Sequence, residues 1–362
     1  MRVLITVPSL AREFGGPVAK AAALAEALRE RGHVVRVAGA GSAGEPGSIG
    51  LGRIGGFHGT PVPASFAPLR RAVAGADVVH VIGYRDPVGT VAAFHARRRR
   101  VPFVFEPVGM MRPRVRSFAL KLWFDSTIGR LVRDGTGALI VTSSVERDDL
   151  ERGSVDRLRV RVRPNGVSFD GLWPLPDRGP LRARLGIAAD VPLVVTLARL
   201  AAIKQLPTLV RAVAAAPPLH VLIAGPDEGD GTLASLREAA RDPAVRGRIH
   251  VISGGLWGDD KASALAEADA FCLASDYESF GNAAAEAAGV GAPVVITHRC
   301  GVIDLLPGAH VVEAEDPLAL GAALQEAIGD KDRASSQAAE VRERLSWATM
   351  AARQEAIYEE VS

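Results

Sequence analysis

Four short apolar strand starts recur along this chain in the same order and at nearly one offset, and this constrains its fold more than any other feature. Val3-Leu4-Ile5 is matched by Leu193-Val194-Val195, and His33-Val34-Val35 by His220-Val221-Leu222. Ala76-Asp77-Val78 is matched by Ala268-Asp269-Ala270, and Val101-Pro102-Phe103 by Ala292-Pro293-Val294, giving offsets of 190, 187, 192 and 191 residues. A single such pair arises easily by chance in a Val-rich chain. Four in order imply two copies of one unit. In each copy the apolar runs alternate with Ala-, Leu- and Arg-rich stretches of helical length, the pattern of a parallel sheet flanked by helices. The expected fold is α/β, two facing Rossmann-like domains with parallel sheets flanked by helices.

A length of 362 residues agrees with two domains. Expected strands in the first half cover 2–7, 34–38, 77–82, 102–106, 138–142 and 160–163; expected helices cover 17–31, 65–74, 87–98, 115–133 and 145–151. Breakers cluster at Arg163-Pro164-Asn165-Gly166-Val167, Trp173-Pro174-Leu175-Pro176 and Gly179-Pro180, which suits an interdomain linker. The boundary is therefore drawn at 1–170 and 171–345. A last helix, from about Trp347 to Glu360 within 346–362, has no counterpart in the repeat and is expected to return to the first domain. Residues 39–64, rich in Gly, Ser and Pro, read as a long loop. Within it, Gly39-Ala40-Gly41-Ser42-Ala43-Gly44 spells G-x-G-x-x-G, but Glu45-Pro46-Gly47 follows where a phosphate-binding turn requires a helix N-terminus. A nicotinamide dehydrogenase is set aside on that ground.

Cys272 and Cys300 are the only cysteines, so no disulfide framework is expected and a reducing compartment fits. Met1 runs directly into Val3-Leu4-Ile5, too early for a signal peptide, and no apolar run reaches the length of a membrane span. The expected location is cytoplasmic. Charge is divided unevenly: residues 1–172 hold 26 Lys and Arg against 15 Asp and Glu, while residues 173–362 hold 17 against 26. Arg97-Arg98-Arg99-Arg100, Arg112, Arg114, Arg116 and Lys121 concentrate the positive charge, read either as solvated surface or as an acceptor or anionic membrane face. With 5% aromatic residues and no recognition motif, nucleic acid is not an expected partner.

Chemistry concentrates in Asp276-Tyr277-Glu278-Ser279-Phe280-Gly281-Asn282-Ala283-Ala284-Ala285-Glu286. Two carboxylates stand eight positions apart across the entry into an Ala-rich helix, where free backbone N–H groups attract oxyanions and hydroxyls. Eight residues at helical rise span about 12 Å. Arg199 and Lys204 follow the first strand of the second copy, at a spacing that suits two cations on one diphosphate. Gly15-Gly16 offers bare backbone after the first strand of the first copy. In doubly wound sheets ligands bind beyond the carboxyl ends of the strands, so the cleft between the two domains is the expected site. Solvated charge is the plain alternative for each residue taken alone.

These motifs in this order, with Gly289-Val290-Gly291-Ala292-Pro293-Val294-Val295 after Glu286, Arg31-Gly32-His33 after the first helix, and Trp347 and Tyr358 near the end, resemble the retaining glycosyltransferases of family 4 (glycosyl transferases group 1), which have the GT-B fold. The resemblance spans essentially the whole chain. It implies transfer of a sugar from a nucleotide-diphosphate donor, UDP or GDP foremost, to a glycan, lipid-linked or small-molecule acceptor, with retention and without a metal or other cofactor. It assigns Glu286 to the ribose hydroxyls, Glu278 to the donor sugar, and Arg199 and Lys204 to the diphosphate as catalytic cations. Phe280 and Gly281, flanked by Ser279 and Asn282, would offer N–H groups to sugar hydroxyls, and Gly15 and Gly16 would approach the donor. His80, Glu106, Val108 and Arg112 fall on the acceptor side, although a lone histidine in a strand reads more plainly as a satisfied packing residue. Val108 stands where the family commonly has a histidine, a departure that bears on sugar choice. A nucleotide-sugar epimerase and a non-enzymatic two-lobed sugar-binding protein are the rivals.

Overall fold

A computed structural model describes residues 1–11, 14, 16–57, 60–111, 118–151, 159–216 and 218–362. The chain divides into two compact units, one of Met1–Gly166 with Trp347–Ser362 and one of Val167–Ser346. Gly166 is therefore the last residue of the first stretch, inside the expected breaker cluster, and Arg163 and Asn165 are buried inside the first unit.

The first unit contains β1 (Arg2–Ser9), α1 (Gly16–Glu30), β2 (Val34–Ala40), β3 (Ser48–Gly50), β4 (Gly55–Phe57), β5 (Thr60–Val62), α2 (Ala67–Ala74) and β6 (Val78–Ile82). There follow α3 (Pro87–Arg99), β7 (Phe103–Glu106), α4 (Phe118–Ser126), α5 (Ile128–Gly135), β8 (Ala138–Val141), α6 (Ser144–Glu151) and β9 (Val160–Val162). The second contains α7 (Pro180–Leu185), β10 (Leu193–Leu197), α8 (Leu206–Ala215), β11 (His220–Gly225), α9 (Thr232–Ala239), β12 (Ile249–Ser253), α10 (Gly258–Glu267) and β13 (Ala270–Leu273). It continues with α11 (Asn282–Gly289), β14 (Val294–Thr297), β15 (His310–Val312), α12 (Pro317–Gly329) and α13 (Lys331–Leu345), before α14 (Trp347–Val361) rejoins the first unit.

Both main sheets are parallel throughout. Their strand orders are β3-β2-β1-β6-β7-β8-β9 and β12-β11-β10-β13-β14-β15. In each, the order reverses beside the first strand, between β1 and β6 and between β10 and β13, which is where doubly wound sheets open a ligand crevice. The matched sequence runs fall at equivalent strands, down to one side chain. Just before β6, Asp77 accepts a bond from the Arg2 N–H at 2.6 Å; just before β13, Asp269 accepts one from the Leu193 N–H at 2.9 Å.

Alternation along the first strands explains the layering. Val3, Ile5 and Val7 pack with the apolar faces of α1 and α14, whereas Leu4 faces the layer built from α2 and α3. In the second unit, Leu193 and Val195 enter one core layer and Val194 the other. Helix starts obey local chemistry: Pro87 opens α3 behind Asp86, whose carboxylate accepts from the Gly89 N–H at 2.8 Å, and Asp316 caps α12 behind Pro317 in the same way. Burial pushes the Asp86 carboxyl up to about 6 despite those bonds.

Two expectations are corrected. Residues 39–64 are not one loop, because β3 pairs parallel with β2 (Val37 with Ser48) and β4 pairs antiparallel with β5. In the described part of 115–133 the helix is broken at Thr127, whose ψ of −95° is not helical, into α4 and α5. As expected from Glu45-Pro46-Gly47, no helix follows Gly44; the next element is β3.

Candidate active site

In the second unit the loops after β10 and β13, on either side of the reversal point, bring the proposed donor residues together. Gly225, at the end of β11, makes room for the first loop: a Cβ there would lie 1.7 Å from the Ala198 carbonyl oxygen. Leu200 pairs with Asp227 as an isolated bridge, and the Ala202 N–H donates to Asp230 at 2.8 Å. A short turn, Ala202–Lys204, then delivers Lys204 inward. Across from it, the Asp276 N–H donates to the Ile203 carbonyl at 2.9 Å, which ties the two loops to each other.

The Lys204 ammonium is paired with Glu278, and the pair is largely sheltered, with 9% of the lysine side chain and 21% of the glutamate side chain exposed. Glu278 is fixed by its backbone, since its N–H donates to Arg299 and its carbonyl accepts from Gly301 at 2.9 Å. Arg199 is paired with Glu228 instead and lies half exposed. Arg199 and Lys204, whose spacing suited two cations on one diphosphate, each hold a different carboxylate. The site balances its charges pair by pair.

Glu278 and Glu286 are not separated by a continuous helical run. Glu278 sits in an extended bridge with Cys300, and α11 begins only at Asn282, so the 12 Å helical span does not apply. Gly281 caps α11 at φ +105°, and a Cβ there would meet the Cys300 Sγ at 2.7 Å, so only glycine suits the turn. Phe280 buries its ring in the core. Among the described residues the N–H groups of Phe280 and Gly281 make no hydrogen bond, leaving two donors free at the positive end of α11. Asn282 is exposed and Ser279 partly so. Glu286, one turn further on, is bonded by the Lys261 ammonium at 2.7 Å. Burial pushes the Cys272 and Cys300 thiols up to about 12, and both are free. Among the described residues no group of three His, Cys, Asp or Glu side chains converges on a metal-sized position.

In the first unit, Gly15 and Arg112 lie outside the described residues. Gly16 is the first residue of α1 and exposed, and a Cβ there would touch nothing within 4 Å. His80 and Glu106, placed on the acceptor side by the resemblance, are both 0% exposed, which agrees with the packing reading of His80. Glu106 accepts from the Arg163 guanidinium at 2.6 Å and is paired with the Lys20 ammonium, which also donates to Asn165. His80 lies 3.2 Å from Glu106 and hydrogen-bonds the Tyr358 hydroxyl of α14 through Nδ1 at 2.7 Å. Burial alone would raise the Glu106 carboxyl, but Arg163 and Lys20 outweigh it and hold the group well below the usual carboxylate range. Burial lowers His80, and it pushes Lys20 down to about 8 against the pull of Glu106.

Val108 has φ +52°, a rare state for a β-branched residue that costs about 1–3 kcal/mol. The adjoining Gly109 N–H donates to Glu146 at 2.6 Å, and Glu146 also accepts from the Thr142 N–H and hydroxyl, which clamps the strained turn. Lys20, Arg163, Glu228 and Lys261 escaped the sequence reading. Arg163 and Asn165 stood in a quoted motif, but their breaker neighbours suggested exposure; Lys20 and Lys261 carried no signal beyond lying on helices.

Comparison with known proteins agrees with this architecture. The family model described as "Glycosyl transferases group 1" matches residues 177–344, and "Glycosyl transferase 4-like domain" matches 15–166, together most of the chain. The D-inositol 3-phosphate glycosyltransferase of Xylanimonas cellulosilytica is 32% identical over 230 residues, 59% of this chain and 55% of that protein. The lipopolysaccharide core biosynthesis glycosyltransferase LpsE of Rhizobium meliloti is 35% identical over 120 residues, 33% of this chain and 34% of that one. The chain thus spans about half the length, or less, of these curated relatives. Among solved structures, HepE from Anabaena, in complex with UDP and glucose, aligns with a TM-score of 0.78 at 18% identity, covering 99% of both chains. Sucrose-phosphate synthase from Thermosynechococcus elongatus aligns at 0.77 and 20%, covering 99% of this chain and 98% of its own, so the likeness is one of fold. Two family models in tandem, on two parallel sheets of this strand order, establish that the chain belongs to the glycosyl transferases group 1, family 4, with the GT-B fold.

Proposed function

We propose that the protein transfers a hexosyl group from a nucleotide-diphosphate sugar, UDP- or GDP-linked, to a glycan, lipid-linked or small-molecule acceptor, with retention of configuration and without a metal. One observation carries this reading: the sheltered Lys204–Glu278 pair stands beside the free N–H groups of Phe280 and Gly281 at the reversal point of the second unit. Negative charge grows on the diphosphate as the glycosidic bond breaks. A lysine ammonium and a helix N-terminus are suited to stabilise it. Glu278, with one oxygen on Lys204, keeps the other for a sugar hydroxyl, and Glu286 is the group for the ribose. Since both carboxylates already hold cations, neither is proposed as a nucleophile; the acceptor attacks from the face the diphosphate leaves, and the departing phosphate takes its proton. HepE, described with UDP-glucose, supports the donor class.

Incubating the protein with UDP-, GDP-, ADP- and dTDP-sugars and a panel of acceptors should release nucleoside diphosphate and yield an axial-to-axial or equatorial-to-equatorial product by NMR. Glu286→Ala should weaken binding of the matching nucleoside diphosphate by about tenfold or more, the loss of charge-assisted hydrogen bonds. Binding equal to that of the unsubstituted protein removes the ribose assignment.

We also propose that the first unit rests on an anionic membrane surface. Arg70 and Arg71 of α2 and Arg99 of α3 line one open hollow of about 270 Å³, with no carboxylate among its lining residues. Chain order puts Arg97–Arg100 just before β7, hence at the amino edge of the sheet, away from Gly16 and Val108; this run does not face a ligand at the carboxyl edge. No helix among the described residues is long and apolar enough to cross a membrane. Vesicles containing anionic lipid should retain the protein at low salt and release it at high salt. Equal retention on neutral vesicles counts against this surface.

A further inference from the structure

Lys261 occupies an odd place for a lysine. It follows Asp259 and Asp260 in the opening turns of α10, where the helix dipole favours acids and disfavours a cation. Asp260 obeys that rule and pairs outward with Arg184 at 3.0 Å. Lys261 turns instead to the next helix and bonds Glu286 Oε1 at 2.7 Å, with 23% of its side chain and 15% of the glutamate side chain exposed. Both residues lie at the same level of the sheet. α10 starts beyond the carboxyl end of β12 and α11 beyond that of β13, so the opening turns of both helices stand at the carboxyl edge, with Lys204 and Glu278.

Two consequences follow from this bond. It commits one oxygen of Glu286, and among the described residues Oε2 takes no bond from the protein, so the carboxylate has a defined free edge. It also completes a pattern in which Glu228, Glu278 and Glu286 each carry their own cation, Arg199, Lys204 and Lys261. An uncompensated carboxylate here would repel an anionic ligand. Neutralised, it remains an acceptor without that repulsion.

We propose that Lys261 is a positioning residue of the donor site: it orients Glu286 so that Oε2 meets a ribose hydroxyl, and it cancels the charge Glu286 would otherwise present to the diphosphate. This rests on the reading of Glu286 as the ribose group.

The test uses the full chain, the best-binding of UDP, GDP, ADP and dTDP, and its parent nucleoside, titrated calorimetrically against Lys261→Met, Lys261→Arg and Glu286→Ala. Lys261→Met should weaken the nucleoside diphosphate about tenfold, the scale of one charge-assisted hydrogen bond. It should weaken the uncharged nucleoside less, and the gap between variant and parent should shrink as salt screens Glu286. Lys261→Arg should recover most of the loss. A packing role alone would lower the melting temperature of the free protein without moving the salt dependence or the difference between the two probes. Unchanged diphosphate affinity in Lys261→Met, or equal weakness in Lys261→Arg, overturns the inference. If Glu286→Ala weakens binding while Lys261→Met does not, the inference fails and the ribose reading stands; if Glu286→Ala also binds normally, both fall.

Discussion

Replacing Glu106 with glutamine should lower the unfolding free energy by about 3–5 kcal/mol, because the change strands buried cations rather than merely removing a contact. Glu106 is wholly buried and serves Arg163 and Lys20, which are themselves sheltered, with His80 beside them. Glutamine matches the shape but offers no charge, so two cations keep their desolvation cost without the carboxylate that offsets it. Urea denaturation at pH 7 checks this; a loss below about 1 kcal/mol, the size of an ordinary hydrogen bond, refutes it. The pH dependence has a worked sign. The folded Glu106 carboxyl lies far below its ordinary 4.5, so its contribution is complete above about pH 4.5 and declines as pH falls from there. The gap between the two proteins should therefore narrow in acid. Lys20 works the other way: its folded value of about 8 lies under the ordinary 10.5, so its part of the stability rises as pH climbs from about 8 to 10.5. Without Glu106 that rise should begin at lower pH.

Lys204→Met should reduce kcat by about 10²–10³, the usual consequence of deleting one donor aimed at developing negative charge. The methionine keeps the stem that packs at this 8% exposed position and loses only the ammonium. If Lys204 acts mainly in the transition state, kcat and kcat/KM should fall together while donor affinity changes little. Single-turnover release of nucleoside diphosphate at saturating donor separates these quantities. A kcat within threefold of the parent refutes the role. Glu278→Gln provides the comparison, because removing Lys204 also frees Glu278; a common loss in both variants and no further loss in the double variant marks them as one working pair.

The sheets were legible because their signals are local. β-branched runs with Asp77 and Asp269 at the strand entrances, and Pro87 and Gly32 at helix ends, state their structure within a few residues. The antiparallel pair of Gly55–Phe57 and Thr60–Val62 was not, since Gly-rich strands carry no alternation to read. In the site, the Glu278-to-Gly281 turn was recognisable as a special backbone. Its charge pairing was not. Arg199 and Lys204 are five apart in sequence, yet their partners, Glu228 and Glu278, come from loops after two different strands, and only the register of the sheet decides who meets whom. The same holds for Lys20, Glu106 and Arg163, which are separated by most of a domain. His80 shows the reverse case, a polar residue in an apolar strand whose partner Tyr358 sits 278 residues away.

The return of α14 to the first unit has a consequence in time as well as in space. The second unit is one uninterrupted stretch, Val167–Ser346, and can close as soon as that stretch is made. The first unit cannot: its sheet is synthesised early, but Tyr358, which meets His80 and covers one side of the Glu106 cluster, is made only after the whole of the second unit. The part made first is finished last. Until then one face of the early sheet, with Val3, Ile5 and Val104 on it, waits without its final cover, a transiently exposed apolar surface of the kind that makes unfinished chains prone to aggregate.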